Sequence, residues 1–193
     1  MKQRHAGPED PKRILTTKWI AMGAVALIII LDQVFKVLAE KYLSGILTMP
    51  LIPDVFHLTY LQNDSMVFGF LGGLSDQAKG VLMIVLSVVT AAVLVGITIF
   101  LFTRRVKSKF LIFSLALIIG GGFGNLIDRV FRRYVIDYLD FRLINFSVFN
   151  FADCCVVVGT IFVMIYILFF LDKKPEGEKG ASDSADGNAD AAN

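Results

Sequence analysis

The chain contains few of the residues from which most hydrolase active sites are built. Its 193 residues include two histidines and two cysteines, and it has neither a His-Glu-x-x-His pair nor a Gly-x-Ser-x-Gly elbow. Cys154 and Cys155 are adjacent within an apolar stretch, whereas His5 and His57 lie outside it. A thiol nucleophile needs a neighbouring base, so we interpret both cysteines as small buried hydrophobic residues.

Charged residues are also scarce. They make up 19% of the chain, hydrophobic residues make up 55%, and the net charge is +2. This net charge is too small to indicate a nucleic-acid partner, and the sequence contains no basic stripe interleaved with aromatic residues. The composition is instead typical of an integral membrane protein.

Four apolar stretches are long enough to cross a bilayer, which takes about 20 residues in a helix. The first could be taken for a cleaved signal peptide, but its length, its internal charges and the lack of a cleavage site indicate a retained anchor. We therefore predict an all-α membrane protein with four transmembrane helices. The predicted spans are 19–38, 81–102, 110–130 and 148–171.

The placement of lysine and arginine predicts the orientation of these spans. Twelve of these residues lie before the first span, between the second and third, and after the fourth, while five lie in the other two connections. The positive-inside rule then places both termini in the cytoplasm. We divide the chain into an N-terminal segment (1–18), a membrane domain (19–171) and a tail (172–193) whose composition predicts disorder.

Two segments face outward in this orientation. The first, about 39–80, is interrupted by Pro50 and Pro53, and it alternates between apolar and polar residues from Val55 to Leu61. Such alternation predicts a small β element, which would lie on the outer membrane surface. The second segment, between spans three and four, is predicted to be an outer loop.

Polar residues within or beside the spans are the best indication of a site, because such groups are costly near lipid and are usually functional there. The predicted orientation places nine of them on the outer side. They are Asp32, Lys36, Asn63, Asn125, Asp128, Arg129, Asp137, Asn150 and Asp153.

Spans one and three each carry such residues on one helix face. Asp32 and Lys36 are four residues apart, so their charges can neutralise each other; a role in helix packing is favoured over direct catalysis. In span three, a glycine-rich run permits close helix approach and precedes Asn125, Asp128 and Arg129. These three residues project from one side, which indicates a site or its support.

Asp137 and Asp153 suggest a pair of carboxyl groups. Asp137 has apolar and aromatic neighbours, and Asp153 opens a span that is otherwise uncharged. Two carboxyls brought together where water is scarce tend to share one proton. The ionised member can then activate water while the protonated member donates to a peptide carbonyl. This chemistry needs no metal, cofactor, serine or cysteine.

Five motifs resemble bacterial lipoprotein signal peptidase, also called signal peptidase II, in order and spacing over residues 19–171. The glycine-rich and Phe-Asn-x-Ala-Asp motifs are the most specific. The motifs are Asp32-Gln33-x-x-Lys36, the segment 63–68, Gly-Gly-Phe-Gly-Asn-Leu-Ile-Asp-Arg at 121–129, Val-Ile-Asp at 135–137 and Phe-Asn-x-Ala-Asp at 149–153.

The resemblance implies an aspartic endopeptidase of the bacterial inner membrane. It would remove the signal peptide of a prolipoprotein just before a cysteine that carries diacylglycerol. It implies Asp137 and Asp153 as the catalytic pair; the neighbouring Asp140 is a rival for Asp137, but the motif order favours Asp137. The other implied roles are substrate binding for Asn63, Asn125, Arg129 and Asn150, room for substrate at Gly121, and support from Asp32, Lys36 and Asp128.

One motif departs from the family pattern. The family usually has Asn-x-Gly-Ala-Ala-Phe in the first outer segment, whereas this chain has Ser65, Met66 and Val67 in the middle of that motif. Bulkier side chains there would narrow the pocket or change which residues it accepts before the cysteine. The expected partners are the lipidated substrate and membrane lipids, and a monomer is expected because the site needs one chain.

Two other classes of function compete with a peptidase. A proton-coupled transporter also needs polar residues within the membrane, but its pathway should continue through the inner halves of the spans, which contain essentially no ionisable residue. An inactive assembly protein with the same fold is the other alternative. The presence of both Asp137 and Asp153 argues against it.

Overall fold

The computed structural model describes residues 10–63, 75–103, 105–144 and 146–170, apart from the side chains of Asp76 and Lys79. The predicted disorder of the tail at 172–193 concerns residues outside these ranges. The described helices are α1 (Pro11–Leu43), α2 (Asp76–Phe102), α3 (Lys109–Phe131) and α4 (Phe151–Phe170), and the strands are β1 (Thr48–Ile52), β2 (Phe56–Asn63) and β3 (Val135–Phe141), followed by a 3-10 turn at Arg142–Ile144.

All four helices are long and apolar enough to cross a membrane, which confirms the predicted fold class. Large apolar side chains cover their outer surfaces: Ile84 and Ile99 of α2 and Leu168 of α4 are each about two-thirds exposed. Such surfaces suit lipid tails, which are as apolar as the side chains themselves.

Several helix boundaries differ from those of the predicted spans: α1 begins earlier and ends later, α2 begins earlier, and α4 begins later. α1 begins at Pro11, where Asp10 accepts a hydrogen bond from the backbone of Lys12 and proline occupies the first helical position. The first helix therefore begins eight residues before the predicted first span. α4 begins at Phe151 and not at 148, because Phe149 still pairs with Leu139 in an isolated β-bridge.

α3 lies at the centre of the bundle and packs against the other three helices. Half of its most apolar stretch is buried, against about a tenth in α2 and α4. A Cβ atom at Gly121 would collide with the carbonyl oxygen of Ala152 in α4, and one at Gly124 would lie 2.5 Å from Oδ2 of Asp32 in α1. The two glycines therefore let α3 approach both neighbours closely.

The sheet is antiparallel, with strand order β1-β2-β3. The predicted β element corresponds to β1 and β2. Pro50 lies within β1, but β1 is the edge strand, where proline is tolerated because its missing N–H can face away from the ladder.

β3 arises from the second outer segment, for which no strand is predicted from the sequence. Residues 135–138 are all buried, so this strand lacks the alternation of apolar and polar residues that would reveal it. Ile136 and Tyr138 of β3 pack with Ala39 and Leu43 near the end of α1. This contact holds β3, and with it Asp137, against the helix bundle.

Candidate active site

Asn150 joins Asp137 and Asp153, although the two aspartates come from different elements. Asp137 lies on β3 and is 2% exposed, and Asp153 lies half-buried in the first turn of α4. The side-chain nitrogen of Asn150 lies 2.6 Å from Oδ1 of Asp137, and its backbone nitrogen lies 3.1 Å from Oδ2 of Asp153. A single asparagine therefore donates hydrogen bonds to both carboxyl groups.

Asn150 and Asp153 also cap α4 reciprocally. Oδ1 of Asn150 accepts a hydrogen bond from the backbone N–H of Asp153 at 3.0 Å, while Asp153 accepts one from the backbone N–H of Asn150. This is a capping box, with Asn150 at the N-cap and Asp153 at the third helical position. Because Oδ1 of Asn150 accepts, its NH2 group is left to face Asp137.

Asn125 of α3 holds the second oxygen of Asp153. Its Nδ2 lies 2.7 Å from Oδ1 of Asp153, and its Oδ1 accepts hydrogen bonds from Lys36 at 2.8 Å and Asn150 at 3.1 Å. The two donors fix which end of the Asn125 amide is oxygen, since an N–H group in that place would face other donors. Asn125 thereby links α1, α3 and α4 at the site.

Asn63 donates a second hydrogen bond to Asp137. It ends β2, and its Nδ2 lies 2.7 Å from Oδ2 of Asp137. Both oxygens of Asp137 therefore accept hydrogen bonds from asparagine amides, one from β2 and one from the cap of α4. Ser65, Met66 and Val67, which depart from the family pattern, lie outside the described residues.

Lys36 is the centre of a buried ionic network beside the aspartates. It is fully buried, as are Asp32 and Asp128, and its Nζ lies 2.8 Å and 2.9 Å from their Oδ2 atoms. With the bond to Asn125, all three N–H groups of the lysine have partners. Asp32 also accepts from the backbone N–H of Ala152 at 3.1 Å, which ties α1 to the start of α4.

Three residues of this region have contacts that the sequence reasoning did not anticipate. Gln33 donates to Asp128 and to the carbonyl of Gly124, each at 3.2 Å, and Arg132 pairs with Asp128 at 2.7 Å. The hydroxyl oxygen of Tyr138 accepts from the backbone N–H of Phe151. Gln33 belongs to the Asp-Gln-x-x-Lys motif and Arg132 lies four residues after Asp128, so spacing could have indicated both. Tyr138 has no such signal because its contact depends on β3.

Arg129 and Gly121 stand apart from the hydrogen-bonded group. Arg129 is half-buried on α3, and it forms no hydrogen bond or ion pair with the rest of the described chain. The space beside Gly121 is filled by Ala152, Cys155 and Val156 of α4. Its geometry therefore favours close packing of two helices over the room for substrate that the resemblance implies.

The surroundings of the two aspartates of β3 shift their pKa values in opposite directions. The pKa of Asp137 is raised to about 6, chiefly by burial and also by the nearby charge of Asp153, although hydrogen bonds from Asn63 and Asn150 oppose the rise. Burial also acts on Asp140, but hydrogen bonds from Thr59 and Arg142 outweigh it and hold the pKa of Asp140 below its usual value. Asp140 is thus an ion-paired residue of the sheet.

No three His, Cys, Asp or Glu side chains come together in a geometry that could hold a metal ion, within the part of the chain that the structure describes.

Two aspartates held by asparagine amides in a four-helix membrane bundle have the parts of a membrane-embedded aspartic peptidase. The family model of signal peptidase (SPase) II matches residues 24–169. The chain therefore belongs to the signal peptidase II family, which confirms the resemblance seen in its motifs.

Similar proteins support this membership over most of the chain. The lipoprotein signal peptidase of Clostridioides difficile is 43% identical over 149 residues, which cover 77% of this chain and 95% of that protein. The protein of the same name from Clostridium acetobutylicum is 39% identical, over 78% of this chain and 94% of that one.

The fold is shared with solved structures. One bacterial membrane enzyme superposes with a TM-score of 0.68 at 24% identity, covering 78% of this chain and 94% of that chain. A second superposes with a TM-score of 0.66 at 25% identity, covering 82% and 93%.

Proposed function

We propose that this chain removes signal peptides from prolipoproteins and cuts immediately before a cysteine that carries diacylglycerol. The relatives whose sequences it matches over 94–95% of their length are lipoprotein signal peptidases. The observation that carries the proposal is the bridge from Asn150 to both aspartates. That bridge keeps two carboxyl groups close enough to act on one water molecule and one peptide bond.

Asp137 is the proton donor and Asp153 the base in this proposal. The raised pKa of Asp137 favours its protonated form in mildly acid conditions, whereas Asp153 lies at a helix N-terminus, where a negative charge is stabilised. Ionised Asp153 takes a proton from water as the water oxygen attacks the peptide carbonyl carbon. Protonated Asp137 gives its proton to the carbonyl oxygen. When the tetrahedral intermediate collapses, one of its two hydroxyl groups returns a proton to Asp137 as the C–N bond breaks, and the departing amine takes the proton held by Asp153. Both carboxyl groups thereby regain their starting states.

Substrate binding is assigned to the polar groups around the aspartates. Asn63, Asn125 and Asn150 hold the carboxyls and have backbone-like amides that suit a peptide. Arg129 has five N–H donors without partners elsewhere in the described chain, and these fit peptide carbonyls. The lipid and the apolar signal helix supply binding energy remote from the scissile bond, and that energy positions the bond between the carboxyls.

The proposal includes the placement of the enzyme. We place it in the bacterial inner membrane as a monomer, with both termini in the cytoplasm and the aspartates near the outer leaflet. The excess of basic residues at the opposite end of the bundle supports this orientation. A lipidated cysteine is held at the same outer depth by its acyl chains.

The test compares two forms of one prolipoprotein, with and without diacylglycerol on the cysteine. Purified enzyme should cleave the lipidated form and leave that cysteine as the new N-terminus, and a metal chelator should not change the rate. Equal cleavage of the unlipidated form, or a cut at another bond, would overturn the substrate assignment.

A further inference from the structure

The end of the bundle opposite the aspartates contains a groove between the first turns of α1 and the connection from α2 to α3. It has a volume of about 560 Å³. Both walls of the groove are largely apolar. One contains Ile14 and Leu15 of α1, and the other contains Phe102 and Val106. Lys18 and Lys107 add two positive charges.

Lys18 is unusual because it points into the protein at this end. Only 4% of it is exposed, and its Nζ donates to the carbonyl oxygen of Thr103, the C-cap residue of α2, at 2.7 Å. A cation at the C-terminus of a helix is favourable. However, Lys18 forms no ion pair within the described ranges, and a buried charge without a counter-charge is costly. Two N–H donors of the ammonium group remain for an anion.

The depth of the groove matches that of lipid headgroups. Trp19, next to Lys18, is 63% exposed, and its ring packs edge-to-face against Phe102 with centroids 5.3 Å apart. Exposed tryptophan typically marks the membrane interface. Below this level α2 is apolar and covered by exposed aliphatic side chains, which suit acyl chains.

The surrounding charge favours an anion at this position. Arg13, Lys107 and Lys109 line an adjoining depression, in which Asp10 is the one acidic residue. Basic pockets at the cytoplasmic ends of transmembrane helices suit anionic headgroups. We propose that the groove binds an anionic phospholipid, with its phosphate at Lys18 and Lys107 and its acyl chains along α1 and α2. This site is independent of the proposed peptidase activity.

The single tryptophan of the chain makes this site directly measurable. The full-length protein is placed in phosphatidylcholine bilayers that contain a small fraction of a brominated lipid, which quenches tryptophan on contact. Brominated phosphatidylglycerol should quench Trp19 more than brominated phosphatidylcholine at the same mole fraction. We expect a preference of about twenty-five-fold in relative binding constant at low salt, since each of the two basic side chains near an anionic lipid gives about fivefold.

The variants separate this groove from general attraction to a basic protein end. Lys107→Gln should reduce the preference about fivefold, whereas Arg105→Gln removes an equal charge from the same exposed connection, outside the groove, and should leave it nearly unchanged. Lys18→Met should remove most of it. Cleavage activity in detergent, unchanged in Lys107→Gln and Arg105→Gln, checks that these variants are folded.

Three outcomes would overturn the proposal. Equal quenching by both lipids would mean that there is no anionic preference. Equal losses in Lys107→Gln and Arg105→Gln would mean that surface potential alone attracts the lipid. Relief of the phosphatidylglycerol quenching by millimolar inorganic phosphate, at constant ionic strength, would assign the groove to a free anion instead of a lipid.

Discussion

Lys36 fixes the orientation of the Asn125 side chain: its Nζ lies 2.8 Å from Oδ1 of the asparagine. The amide nitrogen of Asn125 is therefore directed to Asp153, at 2.7 Å. A buried cation that makes no contact with the proposed catalytic carboxyls thus controls a hydrogen bond to one of them. This relationship connects the stability of the ionic network to the geometry of the site.

Lys36→Met should destabilise the protein and abolish cleavage. The substitution leaves Asp32 and Asp128 buried beside each other without their shared cation, which typically costs about 3–5 kcal/mol. Thermal unfolding in detergent measures the loss. Lys41→Met, in the exposed last turn of the same helix, should change stability by less than about 0.5 kcal/mol. A Lys36→Met protein as stable as Lys41→Met would contradict the role of the network.

Asn150→Ala should lose far more activity than its loss of stability explains. Removing an N-cap costs about 1 kcal/mol, but this substitution also frees Asp137 from its 2.6 Å partner. Ser108→Ala is the matched control, because Ser108 caps α3 and has no contact with the aspartates. Asn150→Ala should unfold at a lower temperature than Ser108→Ala because it also loses hydrogen bonds to Asp137 and Asn125, and the rate constant for cleavage should fall only in Asn150→Ala. Equal activity in the two would mean that Asn150 is merely a cap.

Asp137→Asn and Asp140→Asn should change stability with opposite signs. Because the pKa of Asp137 is raised from 3.8 to about 6, its ionised form destabilises the fold. Asp137→Asn should match the wild type below pH 4 and become more stable as pH rises through 6, by up to about 3 kcal/mol.

Asp140 has a lowered pKa and favours the fold when it is ionised. Asp140→Asn should therefore be less stable than the wild type near neutral pH, and the difference should shrink in acid as the wild type loses this contribution. Unfolding temperatures measured from pH 4 to pH 8 test both signs. The same sign for the two variants would contradict the opposed environments of these aspartates.

Gly124→Ala should disturb the ionic network without adding a polar group. The new Cβ would lie 2.5 Å from Oδ2 of Asp32, which is held by Lys36, and overpacking of this kind costs about 1–3 kcal/mol. Gly96→Ala in α2 meets no atom within 4 Å and should be neutral or slightly stabilising. The comparison uses unfolding temperatures in one detergent. Equal stability of the two variants would show that α1 and α3 can separate freely.

The sequence was most informative where chemistry and spacing coincide. Four apolar stretches predict the four helices because lipid demands long apolar runs, and the spacing of Asp32 and Lys36 predicts their ion pair. The nine polar residues could be grouped on one side of the membrane because a chain with four known spans has only two possible orientations. The distribution of lysine and arginine favours one of the two.

The remaining features depend on contacts that no local pattern encodes. β3 is buried on both faces and carries two aspartates, so its sequence lacks the alternation that would predict a strand. The hydrogen bond that the backbone N–H of Phe151 in α4 donates to the hydroxyl oxygen of Tyr138 follows from the position of that strand. Gly121 belongs to a specific motif, yet only the structure reveals that α4 fills the space beside it.

The most direct test of the proposed aspartate pair is cleavage of a diacylglyceryl-modified prolipoprotein by purified wild-type, Asp137→Asn, Asp153→Asn and Asp140→Asn proteins. The first two substitutions should lower the rate by at least about a thousandfold while the proteins remain folded. Asp140 lies on the same strand as Asp137 but does not belong to the proposed catalytic pair. Asp140→Asn should therefore retain most of the activity. Undiminished turnover in either Asp137→Asn or Asp153→Asn would contradict the central claim that these two carboxyl groups perform the hydrolysis.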